Sequence, residues 1–165
     1  MTIQSDDITL ARTTLDRVLD DVEGRLRDHL ARERAHWSAV GDAAGDTGLV
    51  VPLDAVADLV AAGGKRIRPA FCAAGFLSAG GDPDDPLIVD AAAALELLHA
   101  FALIHDDVLD DSPLRRGRPT VHERYAAEHR ARGWRGDPRR FGEGVAILAG
   151  DLAYVLADML TADFP

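Results

Sequence analysis

The sequence predicts an all-α fold, built as an antiparallel helical bundle. Apolar residues recur at helical spacing along most of the chain, and no stretch of useful length alternates as a strand does. Aromatic residues make up only 5% of the composition while 47% is hydrophobic, which favours Ala- and Leu-rich helices over a β-sandwich. The 165 residues are enough for one domain with a buried core. The single cysteine, Cys72, excludes a disulfide framework and a cysteine-ligated zinc site.

The first predicted element is an amphipathic helix over about Asp6–Trp37. Its apolar residues fall on one stripe, opposite a charged face. The members of the stripe are Leu15, Val18, Leu19, Val22, Leu26 and Leu30. The small and polar stretch Gly41–Gly48 that follows is predicted to be a loop.

Proline and glycine define the next two helices. Pro52 suits the first turn of a helix over Leu53–Ala62, which the pair Gly63-Gly64 should end. Pro69 then opens a third helix towards Ala79.

The rest of the chain is predicted as three helices joined by Gly- and Pro-rich connections. The helices are Leu87 to about Asp111, Thr120–Arg130 and Gly144–Ala162; the connections are Gly80–Pro86, Pro113–Pro119 and Arg132–Phe141. The first and last of these helices are apolar nearly all round, which is typical of buried central helices. A chain of this length has too few amphipathic helices to cover both, so the bundle is expected to be incomplete. We expect Phe71, Phe76 and Tyr154 in its core, and His29, His36 and His129 at its surface.

The charge balance narrows the possible partners. A formal net charge of −10 argues against general nucleic-acid binding, because phosphates would be repelled. Arginines nevertheless gather at residues 65–68 and 115–118, which suggests an anionic small molecule. We find no leader peptide and no apolar run long enough to span a bilayer, so a cytoplasmic protein without a transmembrane segment is expected.

The stretch His105–Asp111 (HDDVLDD) places four carboxylates in six residues. On a helix Asp106 and Asp110 lie about 40° apart around the axis and roughly 6 Å apart along it, so their carboxylates can converge. His99 falls on nearly the same face, two turns earlier. A hard divalent cation would relieve the repulsion between these acids.

Three interpretations compete for this cluster. A solvated acidic helix end is the simplest, although acids at a helix C-terminus lie at the unfavourable end of the helix dipole. A calcium loop of the EF-hand type fails, because its third and twelfth positions would be Val108 and Gly117. A two-carboxylate Mg²⁺ site, completed by water and substrate phosphates, fits better.

Two cationic segments flank the acidic helix in sequence. Gly63–Pro69 (GGKRIRP) carries Lys65, Arg66 and Arg68 in a turn that leads into a helix N-terminus, which attracts anions. Arg115–Pro119 (RRGRP) offers guanidinium groups suited to bidentate contact with phosphate. Alone, Gly63–Pro69 is equally consistent with a cationic surface turn. Together with the acids they describe a site for two polyphosphates, one of them bridged by metal.

These motifs closely resemble those of the trans-isoprenyl diphosphate synthases, the polyprenyl synthetase family. The resemblance covers about residues 50–160, in the family's order and spacing. It depends on Gly63–Pro69, Glu96–Asp110, Arg115-Arg-Gly with Pro119-Thr-Val-His122, and Gly150-Asp151. It implies the isoprenoid synthase type of helical bundle, with residues 1–165 forming the N-terminal part of a single domain.

The resemblance also implies a role for each matching residue. Asp106 and Asp110 match the first and last acids of the first aspartate-rich motif, which binds the Mg²⁺ ions that bridge an allylic diphosphate. The residues that match the isopentenyl diphosphate site are Lys65, Arg68, His99 and Arg116. Arg115 matches an arginine that contacts the allylic diphosphate. The implied reaction is ionisation of the allylic diphosphate, attack by isopentenyl diphosphate and loss of a proton.

The residues just before Asp106 predict the length of the product. Phe101, five positions before Asp106, and Ala102, four before it, resemble a short-chain enzyme of the geranylgeranyl type. We expect Phe101 to form the floor of the product tunnel; the alternative is that it is an ordinary core residue.

The chain departs from the family in one respect. Family members carry a second aspartate-rich motif in a C-terminal half, and nothing between Asp151 and Pro165 can replace it. We therefore expect an N-terminal half that is inactive alone. Either it is a fragment of a longer protein or a partner chain supplies the rest, and the expected assembly is a homodimer or a complex with that partner chain. The alternatives are a non-catalytic partner subunit of a complete synthase and a class I terpene cyclase. Gly63–Pro69 argues against a cyclase, which needs no isopentenyl site.

Overall fold

The computed structural model describes residues 5–45, 48–162 and 164, which form a helical bundle with one very short hairpin. The helices are α1 (Ser5–Ala44), α2 (Val51–Ala61), α3 (Ile67–Ser78), α4 (Pro86–Leu109), α5 (Val121–Ala131) and α6 (Pro138–Thr161). The strands β1 (Leu114–Arg115) and β2 (Arg118–Pro119) pair antiparallel. The predicted all-α class is confirmed.

The two long apolar helices begin with the same local signal. Asp85 caps α4 and Asp137 caps α6, each accepting a hydrogen bond of 2.9 Å from a backbone N–H two residues later, and a proline follows each cap. This signal places the start of α6 at Pro138. The prediction that all of Arg132–Phe141 is a loop is therefore wrong in its last four residues.

Two other predicted boundaries also shift. Residues 41–44, expected in a loop, continue α1, because Ala43 and Ala44 are strong helix formers; residues 46 and 47 of that expected loop lie outside the described residues. Helix α3 begins at Ile67, so that Pro69 lies in its first turn, where a missing N–H costs no helical hydrogen bond.

The core lies where α4 packs against α6, and α5 also packs against α6. Small residues let α4 and α6 approach closely: Ala92, Ala93, Ala146, Ala149 and Ala153 are all inaccessible to solvent. Larger side chains from α1, α2 and α4 close the core, namely Leu26, Leu53 and Leu97. Each such fully buried leucine contributes roughly 1.5–3 kcal/mol.

Some expectations about the core and surface are wrong. Phe71 is 76% exposed and Tyr154 is half exposed, although both were expected in the core. His29 and His129, expected at the surface, are buried, and their Nε2 atoms hydrogen-bond the carbonyl oxygens of Leu156 (3.2 Å) and Arg135 (3.3 Å). A backbone partner thus makes an interior imidazole acceptable.

Helices α4 and α6 are long and apolar enough to cross a membrane, judged by length and composition alone. The expectation that the chain has no such run is therefore wrong on that criterion. In the structure the two helices pack against each other in the core. Central helices of soluble proteins meet the same criterion, so it is weak evidence for a membrane segment.

Candidate active site

The hairpin after α4 positions two neighbouring arginines. Its two-residue turn consists of Arg116 (φ 52°) and Gly117 (φ 76°), and positive φ at both central residues is typical of a type I′ turn. The Oγ1 of Thr120 donates to the carbonyl oxygen of Ser112 (2.9 Å), which closes the base of the hairpin. The sequence predicts only a helix break here, so the hairpin is a feature that the structure adds.

Arg115 turns back onto α4 and pairs with Asp107. Its Nε donates to both carboxylate oxygens (3.0 and 2.9 Å), and a terminal nitrogen donates to one of them (2.8 Å). These hydrogen bonds raise the pKa of Arg115, and the charges of Asp106 and Asp110 add to that effect. Asp107 is buried and both of its carboxylate oxygens accept hydrogen bonds from Arg115. Its partner, however, was not predicted.

Asp106 and Asp110 differ from their two acidic neighbours. Both are exposed, and neither carboxylate has a hydrogen bond or salt bridge to any residue that the structure describes. Asp111, by contrast, pairs with Arg139 at 3.1 Å. The cluster therefore has cationic partners for two of its acids and none for the two that the sequence assigned to a metal.

Two free carboxylates one helical turn apart fit a hard cation such as Mg²⁺, which takes oxygen ligands and keeps several waters. Within the described ranges, no group of three or more His, Cys, Asp and Glu side chains gathers as a complete metal cage. The remaining ligands would then come from water and from phosphate oxygens.

The cationic residues predicted for isopentenyl diphosphate come together in one cavity of about 380 Å³. Lys65, Arg68, His99 and Arg116 all line it. Arg116 reaches across from the hairpin, donating to the carbonyl oxygen of Gly63 in the α2–α3 loop. An adjoining cavity of about 800 Å³ shares His99 and Arg116 and is also lined by Arg115.

His99 lies between these arginines. Burial lowers the pKa of His99, and the positive charge of Arg68 lowers it further, with smaller contributions from Arg115 and Arg116. The imidazole is therefore neutral near pH 7, where one ring nitrogen can donate a hydrogen bond to an anion.

Comparison with known proteins identifies the family. The sequence profile of the polyprenyl synthetase family matches residues 52–164. The chain belongs to the polyprenyl synthetase family.

Named relatives extend the family match. The chain is 44% identical over 96 residues to a short chain isoprenyl diphosphate synthase of Methanothermobacter thermautotrophicus, covering 58% of this chain and 24% of that protein. It is 41% identical over 106 residues to the chloroplastic geranylgeranyl pyrophosphate synthase 11 of Arabidopsis thaliana, which covers 63% of this chain and 25% of that protein. The chain thus matches about a quarter of the length of these curated relatives.

A solved structure supports the same assignment. Geranylgeranyl pyrophosphate synthase from Corynebacterium glutamicum, solved with isoprenyl diphosphate and magnesium, superposes with a TM-score of 0.79 at 39% identity. The superposition covers 90% of this chain and 42% of that one.

In this polyprenyl synthetase chain Phe101 is half-buried beneath the acidic end of α4. Its ring meets the ring of Tyr154 on α6, with centroids 5.7 Å apart. Tyr154 also lines an apolar cavity of about 370 Å³ with Cys72, Ala94 and Leu98. Ala102 is half-buried beside Phe101. No periodicity in the sequence pairs α4 with α6, so this contact of Tyr154 was missed.

The Gly150-Asp151 signature of the polyprenyl synthetase chain has a packing reason. A Cβ atom at Gly150 would overlap the imidazole of His105, so any other residue would force that ring to shift where α6 approaches α4. The Nδ1 of His105 donates to the carbonyl oxygen of Phe101 (3.0 Å), and its Nε2 lies 3.5 Å from Asp151. His105 therefore packs between α4 and α6 in the turn just before Asp106.

Proposed function

We propose that the chain is the N-terminal, substrate-binding part of a Mg²⁺-dependent prenyltransferase. The reaction condenses isopentenyl diphosphate with an allylic diphosphate to give a short-chain product of the geranylgeranyl type. The observation that carries this proposal is the convergence of Lys65, Arg68, His99 and Arg116 on one cavity. The names of the relatives and the ligands of the Corynebacterium glutamicum enzyme support the same substrates.

In this proposal the four residues of the cavity hold the diphosphate of isopentenyl diphosphate. Asp106 and Asp110 are the Mg²⁺ ligands, and when bound the metal supplies Lewis-acid stabilisation of the leaving diphosphate. Arg115, oriented by Asp107, stabilises the negative charge that grows on the same leaving group. An allylic C–O bond breaks, a C–C bond forms to the isopentenyl double bond, and a proton leaves to restore an alkene.

We place residues 1–165 in the N-terminal part of a single synthase domain. In this proposal the chain is active only together with a C-terminal half, in a homodimer or with a partner chain that supplies that half. The limited coverage of the relatives supports this arrangement. The exposed apolar residues Leu148, Val155 and Met159 on α6 also suggest a further packing surface. A non-catalytic partner subunit is the second candidate, but such a subunit would not require Asp106, Asp110 or the cationic cavity for its role.

The test supplies the missing half in trans. The chain is incubated with Mg²⁺, isopentenyl diphosphate and farnesyl diphosphate, with and without the C-terminal half of the Corynebacterium glutamicum enzyme. We expect product only when both polypeptides are present, and none when Mg²⁺ is chelated. Turnover by the isolated chain would contradict the proposed incompleteness. Absence of turnover in the mixture, despite a stable complex, would favour the non-catalytic partner.

Product length is tested in the same assay. The ring of Phe101 meets that of Tyr154, and Tyr154 lines the apolar cavity of about 370 Å³. We propose that the two rings stop a growing product chain from entering this cavity. Apolar cavities of about 150 Å³ already hold benzene, so this one has room for at least one more five-carbon unit. Phe101→Ala should lengthen the products seen by chromatography, whereas the exposed Phe71→Ala should not. Unchanged products in Phe101→Ala would make Phe101 an ordinary core residue.

A further inference from the structure

Arg66 lies between Lys65 and Arg68 in sequence, but its side chain is directed elsewhere. Its side chain is 10% exposed, whereas Lys65 and Arg68 are exposed residues. Its backbone is left-handed (φ 45°, ψ 37°), which is unfavourable for a residue with a side chain and turns it away from its neighbours. Such a conformation persists only where surrounding contacts enforce it.

Three contacts hold the guanidinium of Arg66. It makes a two-point contact with Glu23 of α1 (2.5 and 3.2 Å) and a hydrogen bond of 2.9 Å to the carbonyl oxygen of Val60 in α2. It also bonds the carboxylate of Glu96 of α4 at 2.5 Å. One side chain thus joins the α2–α3 loop to three helices, which the five donors of a guanidinium allow and a lysine cannot match.

Glu96 connects this contact to the substrate cavity. It lies one helical turn before His99, and its side chain is 10% exposed. Both Arg66 and Glu96 line the cavity of about 380 Å³ that gathers the predicted isopentenyl residues. An unpaired carboxylate there would repel a diphosphate, so its pairing with Arg66 also removes an unfavourable charge.

We infer that Arg66 and Glu96 form a positioning pair that fixes the loop carrying Lys65 and Arg68 against the turn of α4 carrying His99. This inference rests on the proposed function, and it assigns neither residue a contact with substrate. Its effect is preorganisation: the cationic groups are held in place before the anion arrives, so less ordering accompanies binding.

The test measures affinity for inorganic pyrophosphate by calorimetry, together with amide hydrogen exchange at residues 63–67. Glycine tolerates the left-handed backbone, so Arg66→Gly removes the side chain without adding strain. We expect pyrophosphate to bind at least about tenfold more weakly and exchange at 63–67 to accelerate, as when a supporting contact is lost at other ligand sites. Arg135→Gly, an exposed loop arginine, is the matched control and should change neither.

Glu96→Gln separates positioning from charge. If only charge mattered, removing this carboxylate would tighten pyrophosphate binding; loss of the positioning pair predicts weaker binding. Tighter binding by Glu96→Gln, or unchanged affinity and exchange in Arg66→Gly, overturns the inference. Failure of the unmutated chain to bind pyrophosphate contradicts the proposed function instead, and the exchange data then decide whether Arg66 holds the loop.

Arg66→Lys keeps the charge, so its affinity for pyrophosphate should fall between that of the unmutated chain and that of Arg66→Gly.

Discussion

The cationic cavity and the acidic end of α4 differ in how many elements build them. The cavity takes Lys65 and Arg68 from the α2–α3 loop and α3, His99 from α4 and Arg116 from the hairpin, and further contacts hold these elements together. The acidic pair, Asp106 and Asp110, lies on one turn of one helix.

This difference separates two kinds of site. The acidic pair depends on secondary structure alone, and its carboxylates have no hydrogen bond or salt bridge to another residue in the described part of the chain. The cavity depends on tertiary contacts such as those of Arg66 and Arg116. Changes to the free acids should therefore remove activity and leave the fold intact, whereas changes to internally paired residues should alter the fold itself.

The largest expected effect is the loss of activity in Asp106→Ala or Asp110→Ala. Loss of a metal ligand removes several kcal/mol of transition-state stabilisation, so turnover in the reconstituted assay should fall about a thousandfold or more. The free energy of unfolding, measured by urea titration, should stay the same or rise, because each substitution removes one of two carboxylates that repel each other. Asp111→Asn is the control, since its partner Arg139 is exposed and asparagine tolerates the left-handed backbone (φ 52°) at this position. Strong destabilisation by Asp106→Ala would contradict the view that the acidic pair contributes nothing to the fold.

Asp107→Asn should show the opposite pattern. Asp107 is buried and accepts three hydrogen bonds from Arg115, so losing its charge should lower the free energy of unfolding by about 2 kcal/mol. Urea titration of Asp107→Asn beside Asp110→Asn provides the measurement. Equal stability of the two variants would mean that the pair with Arg115 contributes nothing to the fold.

Gly150→Ala tests the packing beneath the acids. The added methyl group would meet the imidazole of His105, and overpacking of this kind should lower the free energy of unfolding by about 1–2 kcal/mol. Gly144→Ala, also in α6, meets nothing within 4 Å and should raise it by roughly 0.5–1 kcal/mol. Thermal unfolding of both variants checks the contrast, and a stabilised Gly150→Ala would contradict the close approach of α4 and α6.

The smallest expected effect concerns the protonation of His99. Its pKa is lowered in the folded protein, so the unfolded chain binds more protons, and stability falls as the pH drops below about 6.5. NMR titration of the imidazole should give a midpoint below that value. Arg68→Leu should raise the midpoint, whereas Arg12→Leu on α1 should not. Pyrophosphate should raise it too, because an anion favours the imidazolium.

The sequence predicts the helices well where a local signal sets their ends. Pro52 and the pair Gly63-Gly64 bracket α2 as predicted. Asp137 and Pro138 give the same kind of signal for α6, but the surrounding Gly and Arg residues led to the prediction of a loop there. The family assignment is confirmed, whereas the roles of the individual site residues stay predictions.

Helical periodicity by itself determined the all-α class and the one-turn separation of Asp106 and Asp110. Those properties depend on the backbone geometry of single helices, which local residue order sets. Only the tertiary structure decided that Asp107 holds Arg115, that Tyr154 meets Phe101 and that Arg66 joins its loop to Glu96. Each of these contacts joins different elements of the fold, and their distances depend on how the helices pack, which no local pattern encodes.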